Sequence, residues 1–188
     1  HVLERLVDKL SNDKVGMIVF AGDAYLQLPI TSDYSAAKAY LNDLSTDMVP
    51  TQGTAIGSAI EMAMSSFSPD ENTQKAIVVL TDGENMEGNA VAMAKTAQEN
   101  GIQIDVIGLG SGKGAQIPLD SRRSTFLKDD EGKVVTTYLN EAMAQEIAQT
   151  GKGIYVNGAS SSAVNDIAEQ LDTLAKTDMG KVVYSASA

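Results

Sequence analysis

The stretch Ala76-Ile77-Val78-Val79-Leu80-Thr81-Asp82-Gly83 decides the fold of this chain. An unbroken apolar run that is rich in β-branched residues and stops at a polar turn is typical of a strand buried on both faces. Such strands occur in parallel sheets, whose two faces are covered by helices. We therefore expect further strands parallel to this one, joined by helices that pack on either side of the sheet.

Short apolar strands alternate with amphipathic helices along the rest of the sequence. The periodicity predicts strands at residues 15–20, 25–30, 76–80, 102–108 and 153–156, and helices at residues 1–10, 33–44, 54–67, 88–100, 138–150 and 162–175. This alternation predicts an α/β domain with a doubly wound, mostly parallel sheet. Pro29 marks the second strand as an edge strand, and the turn at Gly22-Asp23 makes that strand antiparallel to the first.

The length and the composition indicate one globular domain. The chain has 188 residues, of which 43% are hydrophobic and 21% charged, values close to those of ordinary folded domains. We assign residues 1–175 to this domain, with a Gly-rich hairpin inserted at about 109–136. The regular pattern ends at Lys176, so residues 176–188 are expected to form a C-terminal tail that leads toward a membrane segment. No apolar run within the chain reaches the roughly 18 residues that a membrane helix needs.

The charge and the rare residue types exclude several classes of function. Lys plus Arg is 14 and Asp plus Glu is 25, so the net charge is −11. Phosphate backbones repel such a chain, which excludes nucleic acid as a partner. The absence of cysteine excludes disulfides and thiolate ligands. His1 is the only histidine, so the sequence holds no histidine-based catalytic triad and no histidine-rich metal site.

Two oxygen-bearing side chains fall where an open α/β sheet binds its ligands, beyond the carboxyl ends of the strands. Asp82 directly follows the most apolar strand, and Thr54 opens a helix after a polar loop. A carboxylate and a hydroxyl suit a hard cation such as Mg²⁺. The alternative is structural, because an Asp before Gly often stabilises a turn and a Thr often caps a helix.

The run Thr81-Asp82-Gly83-Glu84, with Gly53-Thr54-Ala55-Ile56-Gly57 upstream, resembles the von Willebrand factor type A family. In that family Mg²⁺ is held by an Asp-x-Ser-x-Ser motif after the first strand, a Thr in a later loop and an Asp after the fourth strand. Thr54 matches the second element and Asp82 the third. The resemblance covers residues 1–175. Three stretches resemble its bacterial BatA/BatB (Bacteroides aerotolerance) branch: VFAGDAYLQLPIT (19–31), DMVPTQGT (47–54) and FLKD (126–129).

One element of the family pattern is missing, because no Asp-x-Ser-x-Ser occurs in these residues. The similar Asp33-Tyr34-Ser35-Ala36-Ala37 ends in Ala and begins a helix after an edge strand, so we reject it. The first, central strand of the family is therefore also absent from the residues given. A vacant central position would leave buried backbone groups unpaired at about 1–3 kcal/mol each. We expect roughly 30 or more residues before His1, or a central position that is filled in some other way, for instance by a partner chain.

The resemblance implies a metal-dependent binding module rather than an enzyme. Mg²⁺ (or Mn²⁺ or Ca²⁺), held by Thr54, Asp82 and the missing motif, would coordinate a carboxylate from a partner protein, and binding would be weak or absent while that motif is missing. The resemblance also implies a position at the periplasmic face of the bacterial inner membrane, through flanking membrane segments. Sister Bat proteins and a MoxR-type AAA ATPase are the implied associates.

Two alternatives stay open at this point. A scaffold whose metal site has decayed would lack a ligand in the missing motif. A Mg²⁺-dependent hydrolase would need a base or nucleophile beside the metal, and the loops offer Asp23, Glu84, Glu87 and Lys113 for that role.

Overall fold

The computed structural model describes residues 2–10, 13–20, 24–43, 56–67, 74–81, 89–109, 115–116, 133, 136–137, 141–175 and 181–187. Their secondary structure alternates as predicted. In chain order the elements are α1 (Val2–Lys9), β1 (Lys14–Phe20), β2 (Ala24–Thr31), α2 (Tyr34–Asp43), α3 (Ile56–Ser66), β3 (Lys75–Thr81), α4 (Asn89–Glu99), β4 (Ile102–Gly108), β5 (Ala115–Gln116), β6 (Thr136–Thr137), α5 (Glu141–Thr150), β7 (Lys152–Asn157), α6 (Ala163–Ala175) and β8 (Lys181–Ser187).

The main sheet has the strand order β2-β1-β8-β3-β4-β7. β2 pairs antiparallel with β1, and all the other neighbours are parallel. The doubly wound fold with one antiparallel edge strand is therefore confirmed. Pro29 lies in β2, at the edge of the sheet, where its missing N–H costs no ladder bond.

Helices cover both faces of the sheet, and each face has its own apolar core. α3, α4 and α5 pack on one face and α1, α2 and α6 on the other. Strand β3 serves both cores, because Ile77 and Val79 face the first and Val78 and Leu80 the second. Fully burying such a side chain stabilises the fold by about 1.5–3 kcal/mol, which explains the unbroken apolar run.

The centre of the sheet differs from the sequence prediction. Lys181–Ser187, which the sequence assigns to a tail, form β8 and lie between β1 and β3. Val183 pairs with Gly16 on one side and with Ile77 on the other. The central position is therefore filled by this chain. The short Val-Val-Tyr run before Ser and Ala carries too little apolar signal to stand out as a strand.

The polar stretch predicted as an inserted hairpin is described only in part. β5 and β6 pair antiparallel, with Ala115 opposite Thr137 and Gln116 opposite Thr136. The FLKD segment (126–129) lies outside the described residues. The two short strands bring the ends of the polar stretch together, separate from the main sheet.

Candidate functional site at the carboxyl edge of the sheet

The carboxyl ends of the five parallel strands lie along one edge of the sheet. In spatial order these strands end at Phe20, Ser187, Thr81, Gly108 and Asn157. Two backbone hydrogen bonds join neighbouring strand ends: Leu109 N donates to Thr81 O at 2.8 Å, and Gly158 N donates to Gly108 O at 2.7 Å. The edge is thus a fixed platform for the loops that follow the strands.

Both predicted metal ligands, Thr54 and Asp82, lie outside the described residues, and their chain neighbours define where they attach. Asp82 directly follows Thr81, which is fully buried at the end of β3. Thr54 precedes Ile56, the buried first residue of α3, by two positions. Helices that connect parallel strands run antiparallel to them, so the amino end of α3 belongs to the edge at which β3 ends.

A close contact joins the first turns of α3 and α4. A Cβ atom on Gly57 would lie 2.5 Å from Asn89 Oδ1 and 2.8 Å from Asn89 Nδ2, closer than any real side chain allows. Gly57 follows the loop that carries Thr54, and Asn89 follows the loop that carries Asp82. The glycine therefore lets the amino ends of α3 and α4 lie side by side.

The donor chemistry of the predicted site suits a hard cation. Thr54 and Asp82 would offer a hydroxyl and a carboxylate, which are ligands for Mg²⁺, Mn²⁺ or Ca²⁺. Within the described ranges, no three His, Cys, Asp or Glu residues come together as a metal site. The central strand β8 ends at Ser187, which pairs with Phe20 of β1.

The structure says little about the other candidate residues from the sequence. Asp23, Glu84, Glu87 and Lys113, considered for a hydrolase, all lie outside the described residues. Asp33, in the rejected motif, caps α2, since its Oδ1 accepts a hydrogen bond of 3.0 Å from Ala36 N.

A polar cluster at the end of β7 was not predicted from the sequence. Tyr155 Oη and Asn157 Nδ2 both donate to Glu141 Oε1, each at 3.3 Å. Burial raises the pKa of the Tyr155 hydroxyl to about 12, and the Glu141 carboxylate contributes through its charge and hydrogen bond. The cluster fixes the amino end of α5 to the carboxyl edge of the sheet. In the sequence, the one indication of this cluster is the spacing of Tyr155 and Asn157, which places both side chains on the same face of a strand.

Asp105 is a second site that the sequence analysis missed. Its side chain is fully buried in β4, and burial raises its pKa to about 7, although the hydrogen bond from Ile154 N lowers it. The available signal was a carboxylate inside the apolar run from Ile102 to Gly108. A strand buried on both faces gives such a group no route to water.

Comparisons with known proteins agree with this architecture. The sequence profile of the von Willebrand factor type A domain matches residues 1–170. The crystal structure of BatB from Bacteroides thetaiotaomicron is 53% identical, with a TM-score of 0.88 over 93% of this chain and 85% of that one. An aerotolerance-related membrane protein from Bacteroides fragilis is 52% identical, with a TM-score of 0.85 over 92% of this chain and 85% of that one.

A curated relative in Borreliella burgdorferi, described as an uncharacterized protein, is 28% identical over 157 residues, which are 82% of this chain. The matched part is 45% of that relative's own length. Among the helices that the structure describes, none has the length and apolar character of a membrane span. From the profile match and the two similar structures, the chain belongs to the von Willebrand factor type A family, in its bacterial BatA/BatB branch.

Proposed function

We propose that this domain is a metal-dependent protein-binding module. Mg²⁺ or a similar hard cation is held beyond the carboxyl edge of the sheet with Thr54 and Asp82 among its ligands. The cation supplies an open coordination position for a carboxylate of a partner protein. The chain itself positions the ligand-bearing loops and performs no catalytic step.

The observation that carries this proposal is the contact between Gly57 and Asn89. It brings together the amino ends of α3 and α4, which follow Thr54 and Asp82 in the chain. The residue before Asp82 is Thr81, which ends β3 at the edge where open α/β sheets bind ligands. The net charge of −11 adds a physical reason for a metal. Two acidic proteins repel each other, and a bridging cation turns a partner carboxylate into an attractive group.

We further propose that the domain works at the periplasmic face of the bacterial inner membrane, in a membrane-anchored protein related to aerotolerance. The names of the two similar Bacteroides proteins support an aerotolerance-related membrane protein. Sister Bat proteins and a MoxR-type AAA ATPase are the proposed associates. A partner that binds here would present an Asp or Glu side chain.

Metal-dependent stabilisation of the fold tests the proposal. The full-length protein is unfolded thermally with EDTA, with Mg²⁺ and with Mn²⁺. A cation at a hundredfold over its dissociation constant should stabilise the protein by about 2.7 kcal/mol. For a domain of this size the melting temperature should rise by roughly 5–11 °C.

Two variants and a control make the test specific. Asp82→Ala should abolish the rise in melting temperature, and Thr54→Ala should reduce it. Asp172→Asn, a change at an exposed position of α6, should leave it intact. If the wild-type protein shows no rise, the metal mechanism is wrong, and the domain is the metal-independent scaffold with a decayed site. Hydrolysis that requires the metal would favour the hydrolase alternative.

A further inference from the structure

Asp105 carries a fully buried carboxyl group, and only one of its two oxygens has a hydrogen-bond partner among the described residues. Its Oδ1 accepts a hydrogen bond of 2.9 Å from Ile154 N in the neighbouring strand β7. Its Oδ2 has no hydrogen-bond partner among the described residues. A buried anion with a free oxygen is strongly unfavourable, so the group needs a proton or access to water.

A second unpaired acceptor lies on the same face of β4. Gln103 is two residues before Asp105, and its Oε1 is also buried without a partner in the described part of the chain. Its Nε2 donates to Lys152 O of β7 at 3.2 Å, which fixes the orientation of the amide. A proton on Asp105 Oδ2 would remove one of these two unpaired acceptors by turning it into a donor.

Both side chains act on the same irregular part of β7. The pairing of β4 with β7 shifts register between Ile104 and Val106, opposite Lys152 and Tyr155. Gly153 lies within this shift, and a Cβ there would collide with Ile104 O and Asp105 Oδ1. The Asp105 carboxyl group therefore replaces a regular backbone partner for Ile154 N–H, and it holds β7 to the sheet at this point.

We propose that protonation of Asp105 controls the attachment of β7 to the sheet: the neutral carboxyl group keeps β7 paired with β4, and its ionisation favours local opening of this edge strand. β7 is the element that yields, because it ends the sheet and has one strand neighbour. Opening it brings water to the carboxylate and uncovers Ile154, Tyr155 and Val156, which pack against the margins of the two cores, whereas β3 keeps a strand neighbour on each side.

Within the described part of the chain, no charged side chain forms a hydrogen bond or an ion pair with the Asp105 carboxylate. The titratable groups on the elements packed against β4 and β7 are Lys75 of β3, Lys95 and Glu99 of α4, Lys152 and Tyr155 of β7, Glu141 and Glu146 of α5, and Asp166, Glu169 and Asp172 of α6. The pKa of Asp105 responds only to burial, which raises it, and to the hydrogen bond from Ile154 N, which lowers it. Tyr184 of β8 occupies the register position opposite Val78, one strand further away.

Amide hydrogen exchange, followed by mass spectrometry, tests the proposal on the wild-type protein. Exchange is measured at pH 6.0 and at pH 8.5 and corrected for the intrinsic pH dependence of the chemistry. Peptides that cover 152–157 should lose about tenfold in protection at the higher pH, because ionisation favours opening by a factor of ten for each pH unit up to the folded-state pKa of about 7 and by no more above it. Peptides that cover 75–81 of β3 should keep theirs.

Two variants and one direct titration make every outcome decisive. Asp105→Asn should keep β7 equally protected at both pH values, whereas Asp172→Asn should behave as the wild type does. If β7 and β3 lose protection together, or if β7 loses none, the proposal is wrong. Should Asp105→Asn fail to fold, carboxyl ¹³C NMR of the wild type decides: titration of Asp105 near neutral pH supports the proposal, and ionisation already complete at pH 5 overturns it.

Discussion

Gly57 of α3 faces the side chain of Asn89 of α4 so closely that a Cβ on the glycine would lie 2.5 Å from Asn89 Oδ1. Glycine inside a helix ordinarily costs about 0.5–1 kcal/mol relative to alanine. Here the glycine leaves room for the Asn89 amide, which occupies the space that a Cβ would need. The contact joins the helices that follow the loops bearing Thr54 and Asp82, so it belongs to the architecture of the candidate site.

Gly57→Ala should therefore destabilise the protein, although alanine is the better helix former. The new Cβ forces Asn89 or the helix to move, and such overpacking typically costs about 1–3 kcal/mol. Urea denaturation measures the change. Ser58→Ala, at the exposed next position of the same helix, is the control and should change the stability by less than about 0.5 kcal/mol. A Gly57→Ala variant as stable as the wild type or more stable would contradict this prediction and show that the exposed Asn89 amide turns away at little cost.

The stability of the fold should fall as the pH rises from about 4 to about 7. Burial raises the pKa of Asp105 from 3.8 to about 7 in the folded protein. The folded state therefore holds its proton more tightly than the unfolded state does. The contribution of this proton to the free energy of unfolding is fully present below the pKa that Asp105 has in the unfolded state. It is lost as the pH rises through the pKa of the folded state. The loss is of the order of 4 kcal/mol at most, at about 1.4 kcal/mol for each pH unit.

Urea denaturation at pH 4.5 and at pH 8 isolates the contribution of Asp105. Asp105→Asn should remove most of the difference in unfolding free energy between the two pH values. Asp172→Asn removes an exposed carboxylate from α6 and should leave the difference as it is in the wild type. Equal pH dependence in the Asp105→Asn variant and in the wild type would contradict the prediction.

Gly153→Ala should destabilise the protein by more than a typical surface change. The added methyl group would meet Ile104 O and Asp105 Oδ1, and backbone atoms in a sheet cannot move aside easily. We expect a loss of about 3 kcal/mol or more, measured by thermal denaturation. The neighbouring Lys152 has a positive φ of 56°, so Lys152→Gly should instead be neutral or stabilising by up to about 1 kcal/mol. Tolerance of Gly153→Ala would place β7 further from β4 than the structure does.

Val183→Pro should unfold the domain or destabilise it by about 3 kcal/mol or more. Proline removes a backbone donor from the strand that lies between β1 and β3. Val183→Thr keeps the backbone N–H and the β-branched shape, and serves as the control. Circular dichroism during thermal unfolding compares the two variants. A proline variant as stable as the threonine variant would show that β8 does not occupy the centre of the sheet.

The alternation of strands and helices was predictable because both cores are built from local apolar periodicity. β3 is the clearest case. Every residue from Ala76 to Leu80 is buried, so the unbroken apolar run directly indicates a strand that is covered on both faces of the sheet. The edge position of β2 was also predictable, since Pro29 has no N–H to offer a further strand.

β8 and Asp105 were not predictable, for two different reasons. The position of β8 depends on which strands need a partner, and this is a property of the whole sheet rather than of Lys181–Ser187. Asp105 interrupts an apolar strand, but its role depends on the irregular pairing of β7, which has no local signature. The candidate site was found by resemblance and by the general rule for sheet edges, since Thr54 and Asp82 alone also fit a cap and a turn.

Direct binding of Mn²⁺ to the full-length protein tests the central claim most sharply. Electron paramagnetic resonance counts free and bound Mn²⁺ during a titration of the wild type, of Asp82→Ala and of the Asp172→Asn control. We predict one bound ion per chain in the wild type and in the control, none in Asp82→Ala, and displacement of the bound Mn²⁺ by Mg²⁺. Identical binding curves for all three proteins, or no binding by the wild type, would contradict the account of this domain as a metal-dependent binding module.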